Sequence, residues 1–198
     1  MKNLSYTPDL ILQNDRVRLE PLTQEHIAPL TPLATRYPDL LQYSPPQFGT
    51  EAHLVEYVEA NMALRDKELK YPWAIFDKKV DAYAGCTSLL NISAPNARLE
   101  IGSTWIGHEF QRTGLNRACK FLLLHYVFEE LKWERVELKT DNRNEQSKTA
   151  IQKIGAQYEG KLRSHTVLSD GYRRDTVYYS ILKAEWPRIK SVIFSGYH

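Results

Sequence analysis

The chain has 198 residues, of which 42% are hydrophobic, and it carries a formal net charge of +2. This length suits one domain with a full core, so we expect a single domain over residues 1–198. So small a charge, without a dense Lys/Arg block, excludes the usual signature of a nucleic-acid-binding protein. No secretory pattern or membrane-length apolar run is present, which predicts a cytoplasmic protein without a membrane partner.

The first half of the chain predicts two helices and an antiparallel meander. Alternation over residues 16–21 indicates a first strand, and Thr23 can cap a helix from Gln24 toward Ala34. The prolines in residues 35–49 break any helix and predict a structured loop, after which Thr50 opens the next helix. Three further runs predict paired strands: Trp73 to Phe76, Tyr83 to Ile92 and Leu99 to Ile106.

The second half predicts a strand-helix-strand crossover and a closing hairpin. An apolar helical stripe over residues 115–127 precedes a strand from Arg135 to Thr140. Asn144 can cap a helix that stops at Gly155, and Asp170-Gly171 indicates a hairpin between two last strands. A short terminal helix begins at Pro187. This order predicts an α+β fold, with a three-layer α/β/α arrangement around a mixed sheet.

The polar turn from Gln111 to Asn116 is the feature that points to a ligand. It joins a strand to a helix, so unpaired N–H groups and the positive end of the helix dipole converge there. Gly114 lets a bulky oxyanion approach the backbone, and Arg112 adds positive charge. The turn therefore predicts a pyrophosphate site, although neither of the common nucleotide motifs, G-x-x-x-x-G-K-[ST] and G-x-G-x-x-G, is present.

The same turn resembles the coenzyme A signature [QR]-x-x-G-x-[GA] of the GNAT N-acetyltransferases. Asn116 departs from the last position. Asn144-Glu145-Gln146-Ser147, followed by Ile154-Gly155-Ala156, resembles the next helix of that family. Glu100-Ile101-Gly102, leading into Trp105-Ile106, resembles a strand of the subgroup that contains the ribosomal-protein N-terminal acetyltransferases RimJ and RimL. The likeness covers about residues 15–183.

The resemblance implies a GNAT-like acyl-CoA N-acyltransferase fold, acetyl-CoA as cosubstrate, an amine acceptor and no metal. It places acetyl-CoA against nine residues: Trp105, Ile106, Gln111, Arg112, Thr113, Gly114, Leu115, Asn116 and Asn144. Asn144 has a structural role as well, as the cap of its helix. The resemblance also implies a bulge in this strand near Trp105 and Ile106, whose N–H groups could meet the oxyanion or hold the pantetheine amides.

Acetyl transfer needs a neutral amine, and Glu100 is the first candidate to take its proton. Strand alternation puts Glu100 on the face of Gly102, Thr104 and Ile106; the alternative is a solvated carboxylate paired with Arg98 or a neighbour. Where many GNAT enzymes have a Tyr that protonates the leaving thiolate, this chain has Ile151. That leaves Ser147 or water, and a thiol of pKa about 8.5 makes a general acid dispensable.

Other candidates carry a weaker signal. Arg117 and Lys120 could reach the adenosine phosphate or could be merely solvated, and surface or packing roles are favoured for His108 and His165. Cys86 and Cys119 have no metal-ligand spacing, and we expect both to be reduced and buried. Loop aromatics could shape the acceptor pocket or anchor the fold: Tyr37, Tyr43, Phe48, Tyr71 and Trp73.

Three functions remain open from the sequence. The first is acetyl transfer to a protein N-terminal α-amine by direct attack in a ternary complex, as the RimJ and RimL likeness suggests. The second is the same reaction on a small amine such as a polyamine, an amino acid or an antibiotic, because one fold serves many acceptors. The third is an acyl-coenzyme A sensor without turnover. A homodimer is a family-level expectation.

Overall fold

The computed structural model describes residues 2–197, which contain eight strands and five α-helices. The strands are β1 (Leu12–Gln13), β2 (Val17–Pro21), β3 (Lys70–Asp77), β4 (Ala82–Ser93), β5 (Arg98–Ile106), β6 (Arg135–Asp141), β7 (Gln157–Val167) and β8 (Arg173–Leu182). The α-helices are α1 (Ile27–Arg36), α2 (Glu51–Asp66), α3 (Leu115–His125), α4 (Glu145–Lys153) and α5 (Trp186–Ile193). A π-helical turn, Tyr126–Glu130, extends α3.

The strands form one sheet in the order β1-β2-β3-β4-β5-β6-β8-β7. Side chains of α3, α4 and α5 pack on one face of this sheet in the larger apolar core. Side chains of α1 and α2 pack on the other face in a smaller core that includes Trp105. This arrangement confirms the predicted α+β fold with a three-layer α/β/α mixed sheet.

The sheet opens at its centre, between β5 and β6. These two strands run parallel and pair only from Arg98 to Glu100 on β5, against Arg135 to Glu137 on β6. Beyond Glu100 each strand continues without pairing to the other, so the strands diverge. The separation leaves a cleft that reaches through the middle of the sheet.

A β-bulge on β5 lies beside this opening. Gly102 pairs with Ser88 on β4 and Trp105 pairs with Cys86, so two residues of β5, Ser103 and Thr104, stand opposite one residue of β4. Ser103 has a φ of +48°, which few non-glycine residues adopt. Because of the extra residue in the bulge, the side chains of β5 after it point to the opposite faces from those that simple alternation predicts. The predicted common face for Glu100 and Ile106 is therefore wrong, because Ile106 joins the same core as Leu99.

The predicted caps at Thr50 and Asn144 and the predicted stop at Gly155 are confirmed, whereas Thr23 precedes a 3₁₀ turn, Gln24–His26, and α1 begins only at Ile27. The Thr50 hydroxyl accepts the N–H of His53 at the start of α2, and the Asn144 side chain accepts the N–H of Ser147 at the start of α4. Gly155 ends α4 with a φ of +92°. The predicted strand limits hold to within a few residues, and α5 begins at Trp186, one residue before Pro187. No helix within residues 2–197 combines the length and apolarity needed to cross a bilayer.

Candidate active site

A cleft of about 1700 Å³ occupies the gap between β5 and β6. The turn from Gln111 to Asn116 lines one part of its wall, and the first turn of α4 lines another. Glu100 and the bulge lie on the β5 wall, while α2 and residues 40–47 of the α1–α2 loop border the cleft as well. The predicted pyrophosphate site and the predicted base thus open into the same space.

The turn before α3 presents free backbone donors. Within residues 2–197 the N–H groups of Arg112, Thr113 and Gly114 donate to no other residue, and the Leu115 N–H makes only a long bond of 3.4 Å to the Thr113 hydroxyl. Gly114 has a φ of +89°, and a Cβ built on it meets no atom within 4 Å. Open space therefore lies in front of the turn. The positive end of α3 adds to the anion affinity of these donors.

Gln111 and Asn116 complete the turn in different ways. The Gln111 amide donates to the Ile106 carbonyl at 2.9 Å and accepts from Gln146 of α4 at 2.8 Å. Its side chain therefore ties the turn to β5 and α4, and its backbone N–H donates to the His108 carbonyl at 3.2 Å, so Gln111 holds the turn in place and offers no free donor. Asn116, which departs from the family motif, lines the cleft with a buried Oδ1 that has no partner within the described residues. The free N–H groups of the turn fit the oxygens of a polyphosphate, and the Asn116 Oδ1 can accept from a hydrogen-bond donor elsewhere on the same ligand.

Glu100 is buried at 2% exposure, so it is not the solvated carboxylate of the alternative interpretation. Its Oε2 accepts from Asn91 at 2.6 Å and lies 2.9 Å from the Lys139 ammonium. Arg98 pairs with Glu137 instead. Glu100 Oε1 lies over Gly102, where a Cβ would come within 2.7 Å of it, and no described residue donates to Oε1. One carboxylate oxygen is thus fixed, and the other retains lone pairs for a proton.

The start of α4 holds the remaining predicted residues. Ser147 and Asn144 are half-buried and line the cleft. The Ser147 hydroxyl has no hydrogen-bond partner within residues 2–197, while the Asn144 side chain is occupied as the helix cap. Ile151, at the position where the family commonly has Tyr, is buried in the core at the cleft wall. The structure thus supplies a hydroxyl but no phenol at this end of α4.

Trp105 and Ile106 follow the bulge on the unpaired edge of β5. Each pairs with β4 on one side, and from Ile101 onward their strand has no partner on the side of β6. The Trp105 indole packs against Phe48 with ring centroids 4.8 Å apart, and its Nε1 is buried without a partner within the described chain. This edge gives an extended ligand a backbone to lie beside.

Two buried lysines bind the bulge from opposite faces of the sheet. The sequence did not predict this position for either of them. The Lys70 ammonium donates to the Ser103 hydroxyl at 2.9 Å, and the Lys120 ammonium donates to the Thr104 hydroxyl at 2.8 Å. Burial lowers the pKa of each ammonium to about 8. Both line the cleft, and Lys120 therefore does not project from α3 toward an adenosine phosphate.

The α1–α2 loop is anchored across the cleft. Arg174 of β8 is buried and donates to the Tyr43 carbonyl at 2.6 Å. The Arg143 guanidinium stacks 3.7 Å from the Tyr172 ring and 5.5 Å from the Tyr43 ring. Loop and hairpin together border the cleft. Arg174 was not predicted, because the β6–β8 contact that brings it there joins distant segments.

Several other candidates have structural roles. Tyr71 and Trp73 are fully buried and stack on each other, so they are core residues. Arg117 donates to the Ile193 carbonyl and lies over the Phe194 ring. His108 pairs with Asp39. Cys86 and Cys119 are free and buried, as predicted.

Comparisons with known proteins agree with this geometry. The profile of the acetyltransferase (GNAT) domain family matches residues 16–157. A Bacillus subtilis (strain 168) protein named as a ribosomal N-acetyltransferase, YdaF, is 40% identical over 102 residues, which cover 52% of this chain and 55% of YdaF. The match therefore spans about half the length of that curated relative.

Two solved structures match most of the chain. An acetyltransferase from T. thermophilus is 33% identical over 98% of both chains, with a TM-score of 0.84. A GCN5-related N-acetyltransferase from Brucella melitensis is 29% identical over 94% of this chain and 84% of that one, with a TM-score of 0.85.

Proposed function

The chain belongs to the family of GNAT acetyltransferases, which use acetyl-CoA as cosubstrate, and from that premise we propose that its acceptor is the α-amine of a protein N-terminus. The similarity to YdaF, a protein named for ribosomal N-acetylation, carries this proposal. The cleft supports it, because it extends past the predicted coenzyme site to the anchored α1–α2 loop and leaves room for an extended chain end.

We propose that acetyl-CoA lies along β5 in the open sheet. The free N–H groups of residues 112–114, with Arg112, suit its diphosphate. The unpaired edge at Trp105 and Ile106 suits the amides of its pantetheine arm, and Asn144 borders the same stretch. Because of the bulge, the strand from Ile106 back to Glu100 lies opposite Gly85 to Leu90 of β4, and at about 3.3 Å per residue it spans about 17 Å, roughly the reach of that arm.

In this arrangement Glu100 is the proposed base. An ammonium has no lone pair, so its proton must leave before the nitrogen attacks the thioester carbonyl carbon. Glu100 Oε1 is free to take that proton, directly or through a water, because Lys139 and Asn91 occupy only Oε2. After attack the C–S bond breaks and its electron pair stays on sulfur. Ser147 or water can then protonate the thiolate.

A matched set of acceptors tests the proposal. Thiol release is followed with acetyl-CoA and one lysine-free peptide, offered with a free α-amine and with a blocked one. The same peptide with a blocked α-amine and one internal lysine, and a polyamine, complete the set. Mass spectrometry locates the acetyl group.

We expect turnover only on the free α-amine. Turnover that is faster on the polyamine would replace this acceptor by a small amine. Binding of acetyl-CoA with no thiol release from any acceptor would indicate a sensor instead.

A further inference from the structure

The β5 bulge is held by two ammonium groups, one from each face of the sheet. Lys70 of β3 binds the Ser103 hydroxyl at 2.9 Å, and Lys120 of α3 binds the Thr104 hydroxyl at 2.8 Å. Thr104 is also 2.8 Å from the Thr87 hydroxyl of β4. A residue with positive φ, such as Ser103, persists only where its surroundings fix it. The two lysines provide that constraint.

Neither lysine has a carboxylate of its own. Lys70 is 8% exposed and Lys120 is 6% exposed, and lysines are seldom buried this far unless they are paired. Their direct partners are neutral hydroxyls. The nearby thiols, Cys86 by Lys70 and Cys119 by Lys120, are buried, which raises the pKa of both thiols, so neither supplies a negative charge near neutral pH.

Among residues 2–197, Glu100 is the carboxylate whose charge acts on both lysines, and it raises the pKa of each. That carboxylate is already bound by Lys139, and Arg174 faces two carboxylates, Asp141 and Glu100, so the charges of Lys139 and Arg174 are matched while those of Lys70 and Lys120 are not. Positive charge at this part of the described cleft therefore exceeds negative charge. An anion that forms beside the bulge would meet both lysines through a low-dielectric wall, where a charge interaction is strong.

Acyl transfer forms such an anion. When the amine nitrogen bonds to the thioester carbon, the carbonyl π electrons move to oxygen; when the C–S bond breaks, the electron pair moves to sulfur. The bulge lies on β5 between the proposed diphosphate turn and Glu100. If the pantetheine arm of acetyl-CoA runs along β5, its thioester end lies beside the bulge.

Building on the proposed function, we propose that Lys70 and Lys120 are positioning residues that stabilise the negative charge on the thioester oxygen and on the departing sulfur. They act through the bulge, whose backbone they fix, and through their own charge. This stabilisation compensates for the missing Tyr, since a thiolate held by positive charge leaves without a proton donor.

The direct test uses coenzyme A and needs no acceptor. The ultraviolet absorbance of the thiolate is titrated against pH for free coenzyme A and for coenzyme A bound to the protein. We expect the bound thiol to ionise at a lower pH than the free thiol. The protein's own two cysteines do not interfere, because their pKa values are raised by burial. An equal or higher pKa for the bound thiol overturns the proposal.

Variants separate charge from structure. Lys120→Gln keeps a hydrogen-bond donor but removes the charge, Lys120→Arg keeps the charge, and the same pair is made at Lys70. The Gln variants should lower kcat about tenfold to a hundredfold and return the bound thiol pKa toward that of free coenzyme A. The Arg variants should restore both, and Lys79→Gln, an exposed lysine in the β3–β4 turn, is the control for lost charge.

The pH profile gives a further measure. In the wild type kcat should fall above about pH 8 as the lysines lose their protons, and in the double Arg variant this fall should move to higher pH. Gln variants with wild-type kcat and thiol pKa would overturn the proposal. If the bound thiol is acidified but no peptide is acetylated, the acceptor assignment fails while the role of the lysines stands.

Discussion

Gly102 is the residue whose replacement tests the placement of Glu100 most sharply. In Gly102→Ala the new Cβ would lie 2.7 Å from Glu100 Oε1 and 3.0 Å from Leu90 Cδ2. To reach an ordinary contact of 3.4 Å, the carboxylate must move by about 0.7 Å. It cannot move freely, because Asn91 and Lys139 bind its other oxygen at 2.6 Å and 2.9 Å.

The expected magnitude follows from that displacement. A shift approaching 1 Å in a group that takes part in the reaction can cost about a hundredfold in rate, so we expect kcat to fall about tenfold to a hundredfold. Loss of one charge-assisted hydrogen bond costs about 1.5–3 kcal/mol, which corresponds to a fall in Tm of a few degrees. The diphosphate turn is remote from Gly102, so acetyl-CoA affinity should stay within about twofold.

The assay combines thiol release, calorimetric titration with acetyl-CoA and thermal unfolding. Gly160→Ala is the matched control, because its Cβ would meet no atom within 4 Å and the glycine has no positive φ. Wild-type kcat in Gly102→Ala, at a measurable loss of Tm, would refute the placement of Glu100 in the reaction.

Three further predictions concern Gly85, Glu100 and Glu159. Gly85→Ala should unfold the protein or lower its Tm by more than about 10 °C, since the Cβ would lie 2.0 Å from the Trp105 carbonyl oxygen at a φ of +151°; a Tm within about 2 °C of wild type would contradict the β4–β5 geometry. Glu100→Gln should lower turnover about a hundredfold below the pKa of the acceptor amine and leave acetyl-CoA affinity intact, and unchanged turnover would remove Glu100 from the mechanism. Hydrogen bonds from Arg135 lower the pKa of Glu159 from 4.5 to about 2, so this pair stabilises the fold above pH 4.5 and loses that effect as the pH falls toward 2. Urea unfolding of Glu159→Gln should accordingly show a smaller loss of stability between about pH 5 and pH 2 than the wild type, and an identical pH dependence would contradict this.

Local chemistry made much of the fold predictable. Thr50 and Asn144 satisfy the N–H groups that every helix start leaves unpaired, so their position in the sequence marked α2 and α4. The turn at Gln111–Asn116 was a weaker signal, because many strand-to-helix turns contain one glycine; its match to the coenzyme A signature of the GNAT family made the prediction specific. The Asp170-Gly171 pair marked the last hairpin by its preference for positive φ.

Features that depend on distant partners were not predictable. Only the family resemblance implied the bulge, because the residue with positive φ is not a glycine; Lys70 binds the hydroxyl of that residue, Ser103, and Lys120 binds the hydroxyl of Thr104. In the sequence Lys120 could equally be a solvated charge or a phosphate contact and Lys70 carries no signal, because only the packing of β3, β5 and α3 buries the two lysines. The insertion of β8 between β6 and β7 likewise brings Arg174 to the cleft by long-range pairing.

Calorimetric titration of acetyl-CoA into the wild type and into Gly114→Asp tests most directly whether the diphosphate binds at the turn before α3. The new carboxylate would stand in the open space before the free N–H groups of the turn, where the diphosphate is proposed to bind. We expect one site per chain in the wild type and at least about tenfold weaker binding in Gly114→Asp. Gly171→Asp, at another positive-φ glycine that faces open space, should bind acetyl-CoA as the wild type does. Equal affinity in wild type and Gly114→Asp would contradict the placement of the diphosphate at this turn.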